Sequence, residues 1–250
     1  NAGGRREVTV MFSVIDPSAG GRPWNIKTAP EFNQPAGVSR LAVAIGWSTS
    51  DYQNTGATDE TLSPVPFRTV GGVASGGGAG IAPALPISVN AVAASVEVDP
   101  VSHPGWYLVK AALPAQAARS GVVALEGHPA WATTDASQVV TWSRVPVRSA
   151  HQYFAITDVP AVPRRAVVDL AKCQKCHDGN RHDSTVIPRL SLHGGNRTEN
   201  LEVCVICHNP NQTDVAYRTS GDEVPLDFKN MIHAIHAAEK STGVPPPSCD

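Results

Sequence analysis

No apolar run of about 18 residues occurs in this 250-residue chain, which excludes a membrane-spanning helix. Methionine appears only twice, as Met11 and Met231, so thioether side chains are scarce as metal ligands. Met11 falls inside a β-type pattern and reads as core. No excess of one charge sign exists: the net charge is −2. Residues 1–150 carry ten basic and ten acidic side chains, residues 151–250 ten and twelve, and nothing asks for nucleic acid. No Gly-Lys-Ser/Thr follows the glycine-rich Gly71–Gly80, so that stretch is a flexible connector rather than a phosphate loop. No Ser-His-Asp order or catalytic carboxylate pair stands out. The chain does not open with Met and shows no leader, as expected of a processed or trimmed chain. With 42% apolar and 17% charged residues it is a globular sequence.

Cysteine is also sparse, yet four of the five cysteines are organised. Cys173-Gln-Lys-Cys176-His177 and Cys204-Val-Ile-Cys207-His208 lie 31 residues apart, each a Cys-x-x-Cys-His. This is the attachment signature of c-type haem. Two thiols reach the two vinyl groups, and the next residue is carried beneath the iron as an axial ligand. The rival readings are a structural zinc site built from the four thiolates and a redox dithiol. Neither employs a histidine at the same place after both pairs. The expectation is two covalently attached haem c groups. Covalent haem attachment generally occurs outside the bacterial cytoplasm, so an exported protein is expected.

The two halves differ in pattern. Residues 1–157 read as an all-β domain, a sandwich or Greek-key barrel, from period-two alternation. Val8, Val10, Phe12 and Val14 share one face, as do Leu41, Val43, Ile45 and Trp47. Further strands are expected at 87–98, 106–113, 122–126, 139–142 and 151–157, with an exposed polar loop at 51–60. Residues 158–165, with two prolines, read as a linker. Residues 166–250 read as a haem-organised, mostly irregular or α c-type cytochrome segment that leans on porphyrin for its core and stays poorly folded without it.

His177 and His208 supply one ligand per iron, and the distal ligands are sought among the remaining histidines. His233 and His236 lie in an apolar-striped helix starting at Asp227, an N-cap residue. They are too close to bind opposite faces of one haem, so each is expected to reach a different iron. His193, before Gly194-Gly195, is the third candidate. His182 reads as exposed; His103, His128 and His151 read as surface or satisfied core positions. Three distal candidates for two haems leave one over, for a third haem beyond the C-terminus or from a neighbouring subunit. Cys249 reads either as the start of a third, cut motif or as a plain thiol or disulfide partner. Arg164, Arg165, Arg189 and Arg197 are candidate partners of haem propionates.

The run Arg164–Asp169, the run Leu190–Asn200 with His193-Gly-Gly, Cys204–Pro210 and Phe228–His236 resemble the outer-membrane multihaem cytochromes of the OmcA/MtrC type. The resemblance covers about a third of the chain. It implies a β-barrel-like domain before a haem domain, and bis-histidine low-spin haems packed for hopping conduction. It implies extracellular electron transfer at the cell surface, to partner cytochromes or copies of itself, metal ions, minerals or flavins. Relatives carry many haems over several domains, whereas this chain has two motifs, and 179–189 is longer than in many relatives. A fragment, or a short member that stacks with copies of itself, is expected. The alternatives are a haem-containing small-molecule reductase, with one iron open to substrate, and a zinc-stabilised binding module.

Overall fold

A computed structural model of the chain describes residues 6–33, 38–54, 69–70, 73–74, 85–99, 101–179, 181–182, 185–186, 189–214 and 224–241. The first half contains strands β1 (Arg6–Ser13), β2 (Ile15–Asp16) and β3 (Arg22–Pro23), the turn-length helix α1 (Pro30–Asn33), and β4 (Arg40–Trp47). The short pair β5 (Thr69–Val70) and β6 (Val73–Ala74) follows, then β7 (Ile87–Asn90), α2 (Ala91–Ala94), β8 (Val96–Glu97), β9 (Trp106–Leu113) and β10 (Ser120–His128). It closes with β11 (Ala130–Thr134), β12 (Val140–Arg144) and β13 (Ala150–Ala155). The second half has helices α3 (Leu170–Gln174), α4 (Leu201–Cys207) and α5 (Phe228–Ser241), and the two-residue strands β14 (Arg181–His182), β15 (Thr185–Val186), β16 (Ser191–Leu192) and β17 (Arg197–Thr198).

Two antiparallel sheets carry the first half, ordered β1-β9-β8 and β13-β10-β4-β7. The alternating faces read from the sequence meet between them. Phe12 from β1, Tyr107 and Val109 from β9, and Leu41, Val43, Ile45 and Trp47 from β4 form one buried cluster. The all-β reading therefore holds, as a sandwich of facing sheets.

Strand β4 is buried on both faces. Its large residues enter the sandwich core, while Ala42, Ala44 and Gly46 leave a shallow trough on the opposite side. Helix α4 lies there: Val203, Val205 and Ile206 are buried with Ala44, Val122, Ala124 and Tyr52. At Gly46 an added Cβ would come within 3.1 Å of Ile206 Cγ2 and 3.0 Å of Asn54 Oδ1. The small residues of β4 thus set how closely the second motif approaches the sheet.

Several expectations are corrected. The run 87–98 is not one strand: Asn90 caps α2 by accepting from Ala93 N at 3.0 Å. The chain thereby crosses from one sheet to the other. Strand β11 was not foreseen; it pairs with β12 in a ribbon outside both sheets. Met11 is exposed, because the register that turns Val10 and Phe12 inward turns it outward. In the expected surface loop, Tyr52 and Asn54 are buried, and Asn54 bridges Trp47 N (3.1 Å) and Ile206 O (2.9 Å). Residues 55–60, most of the glycine connector and Cys249 lie outside the described residues. Of the histidines, His103 and His151 are exposed and His128 is buried, and the His182 side chain lies outside those described.

The second half does not depend on porphyrin alone for its core, because α4 is buried by protein atoms. Nor does 158–165 hang free. Ser120 Oγ donates to Asp158 Oδ2 (2.8 Å) and accepts from Val162 N (2.7 Å), and Thr49 Oγ1 donates to Val162 O (2.8 Å).

Candidate haem-binding site

Both motifs are built the same way. A side chain four residues before the first cysteine caps a short helix: Asp169 accepts from Ala171 N (3.0 Å) and Asn200 from Glu202 N (3.1 Å). The first cysteine then falls on the last turn, with its sulfur 3.9 Å (Cys173) or 3.4 Å (Cys204) from the carbonyl of its capping residue. Each motif histidine closes a backbone turn onto the first cysteine: His177 N donates to Cys173 O and His208 N to Cys204 O, each at 2.9 Å, with His208 capping α4 and His177 lying beyond the end of α3 at Gln174. The capping residues were not singled out in the sequence, although Asp and Asn at the same offset before two identical motifs is a readable signal.

The histidines converge from distant parts of the chain. The ring of His177 lies 6.3 Å from that of His236, and the ring of His193 lies 6.0 Å from that of His208. Two imidazoles bound to one metal through bonds of about 2.0 Å, with ring centres roughly 1.1 Å behind each nitrogen, put those centres about 6.2 Å apart. Both pairs have that separation. Each joins one motif histidine to one distal candidate, so the residues present fit a bis-imidazole group at each motif. His233 is exposed and belongs to neither pair.

Tautomers are set by the main chain. His208 Nδ1 lies 2.9 Å from Leu226 O, and His236 Nδ1 lies 2.8 Å from Ile232 O. A carbonyl only accepts, so Nδ1 carries a proton in both rings and Nε2 is the nitrogen left to face a metal. Burial pushes the pKa of both His208 and His193 down, and the nearby Arg197 guanidinium adds to it. These rings are therefore held neutral, the form that ligates metal.

His193 sits in a left-handed run, with φ of +54° for His193, +71° for Gly194 and +93° for Gly195. Two glycines relieve that run, since L side chains disfavour positive φ. They also admit close neighbours: a Cβ on Gly194 would collide with Arg144 Nη1, and one on Gly195 would press on the His128 ring. The glycine pair thus lets the β half approach the turn. Arg144 Nη1 donates to Gly194 O (3.2 Å), and Gly127 N donates to Asn196 O (2.8 Å).

Glu126, buried in β10, receives Arg197 Nε (2.7 Å) and Nη2 (3.1 Å), with Arg40 at 3.4 Å. This fork was missed in the sequence, because its partners are far apart along the chain. It corrects the propionate reading of Arg197, whose guanidinium is engaged by Glu126. Arg165 is paired with Asp51 (3.2 Å), and Arg189 lies 3.9 Å from Glu199.

Cys173, Cys204 and Cys207 are free thiols, and burial pushes Cys204 and Cys207 up to about 11. Cys176 is disulfide-bonded. One sulfur cannot hold a disulfide and a thioether together, so attachment at the first motif requires that bond to be reduced. Among the described residues no group of three or more His, Cys, Asp or Glu is gathered as for a metal ion.

Residues 165–246 match the family described as outer membrane cytochrome MtrC/MtrF-like, domains II/IV. That stretch, about a third of the chain, is similar to cytochromes of this type. The matched segment contains both motifs and all five histidines considered above. Residues 1–164 lie outside it. No curated protein matches the chain. Among the described residues, no helix is long and apolar enough to cross a membrane.

Proposed function

We propose that the chain is an exported electron-transfer protein that carries two covalently attached haem c groups in its MtrC/OmcA-type segment. The observation that carries this reading is the pairing of each motif histidine with a second imidazole, at 6.3 and 6.0 Å. Cys173 and Cys176 would bond the first haem, between His177 and His236. Cys204 and Cys207 would bond the second, between His193 and His208. Bound haem supplies reversible one-electron chemistry at its iron. The protein holds the imidazoles in one tautomer through Leu226 O and Ile232 O and buries the second motif against the sheet. With His177 and His236, and His193 and His208, as the imidazoles holding each group, no position would be left open to a substrate, which favours a carrier over a small-molecule reductase. Zinc held by four thiolates is disfavoured by the absence of a gathered cluster among the described residues.

His233 is the ligand left over. We assign it to a third haem, supplied beyond the C-terminus or by a neighbouring subunit. The family description supports an outer-membrane or cell-surface location, with electrons passing to other cytochromes, copies of this chain, metal ions, minerals or flavins.

Intact mass and electron paramagnetic resonance test the reading. The chain should carry the mass of two haems, with two low-spin signals and no high-spin iron. His193→Ala should convert one signal to high spin and His236→Ala the other. A haem-free chain, or the same signal lost in both variants, would refute the assignment.

A further inference from the structure

A cavity of about 670 Å³ lies in the β half, between α1, α2, the start of β4 and the end of β12. Neither histidine pair nor any cysteine lines it. Its wall carries Lys27, Arg40 and Arg144 and no carboxylate, over a partly apolar floor that includes Phe32.

The three cations are held in place. Lys27 Nζ donates to Val92 O and Ala93 O, which leaves one of its three donors. Arg144 spends Nη1 on Gly194 O, and Arg40 touches Glu126 through Nη2. Among the described residues the only carboxylate paired with any of the three is Glu126, against Arg40, and Arg197 also holds it by two shorter bonds. The wall is therefore short of negative charge. Buried His128, also in the wall, responds to it: burial lowers its pKa first, and Arg144 and Arg40 lower it further.

A second observation narrows the occupant. Asn196 gives Nδ2 to His193 O (2.7 Å), while its Oδ1 is buried without a partner. A buried acceptor of this kind calls for a donor. Fixed cations call for anionic oxygens, and the volume suits a small organic molecule better than a lone inorganic anion.

We propose that this cavity binds an organic polyanion that also carries a hydroxyl group, of the hydroxy-polycarboxylate class. Its carboxylates meet Lys27, Arg40 and Arg144, and its hydroxyl donates to Asn196 Oδ1. Apart from Asn196 the lining comes from residues outside the matched segment, and none of it is a motif cysteine or a paired histidine.

Calorimetry on the full chain as purified, with its haem content measured separately, tests it with two probes. Citrate and propane-1,2,3-tricarboxylate share three carboxylates and differ by one hydroxyl. Citrate should bind, and the deoxy probe should bind about tenfold more weakly. Lys27→Gln and Arg144→Gln should each weaken citrate roughly tenfold, and added salt should weaken it further. No heat with citrate at millimolar concentration overturns the site. Citrate binding unchanged in the double variant, with the fold verified by circular dichroism, overturns it equally. Equal affinity for the two probes overturns the role of Asn196.

Discussion

Ile206→Ala tests whether the second motif owes its place to the sheet or to porphyrin. Ile206 is fully buried, in contact range of the small-residue face of β4, and its carbonyl accepts from Asn54 and Asn209. The substitution removes three carbons and leaves those backbone bonds in place. Their transfer is worth about 0.8 kcal/mol each, and the residual cavity adds to that sum, for a loss of about 3 kcal/mol. In a chain of this length that lowers Tm by roughly 6–12 °C. Thermal unfolding should be followed by circular dichroism for the sheet and by haem absorbance for the second motif. The two probes should fall together, because α4 shares one buried cluster with β4 and β10. A loss under about 1 kcal/mol, or a shift in haem absorbance while the sheet melts unchanged, would refute the docking of α4 on the sheet.

Three further predictions concern the bolts around that site. Glu126→Gln should cost about 2 kcal/mol in urea unfolding, below the value for fully buried pairs because Arg40 is 49% exposed and remains hydrated. Adding Arg197→Gln should recover part of the loss, and strict additivity would show that the fork carries no coupling. His128 is held neutral by burial, so unfolded chains take up its proton first as pH falls below about 6.5. Its contribution to stability is complete above that pH and is lost below it, by at most about 1.4 kcal/mol per pH unit. His128→Gln should flatten this slope between pH 7 and 5.5, and an unchanged slope would exclude His128 as its source. Gly121→Ala should destabilise by more than about 1 kcal/mol, since its Cβ would stand 2.3 Å from Phe154 Cζ; a wild-type melting curve would contradict that contact.

Much of this architecture is carried by local pattern. The faces of β1, β4 and β9 follow from period-two alternation, which depends only on neighbouring residues. The break of 87–98 into β7, α2 and β8 was hidden because Ala91–Ala94 fits a strand by composition and only the Asn90 cap argues for a turn of helix. The ribbon β11–β12 was half missed, since its exposed strands lack an inward face to alternate against.

The cysteine motifs and the helix that starts at Asp227 are likewise readable residue by residue: Asn230 N bonds Asp227 Oδ1 at 2.7 Å, as a capping residue should. Spacing also announces more histidines than two irons need. It does not say which pair with which. His177 with His236, and His193 with His208, are separated by 59 and 15 residues, and the second pair is set by the packing of α4 on β4 and the clamp on Gly194-Gly195. The same holds for Glu126 with Arg197 and for the basic cavity, whose walls come from five separate stretches. Chemical identity resides in short motifs, because bonds to one group need neighbouring atoms. Pairing across space belongs to the tertiary fold, because it is decided by which surfaces bury one another.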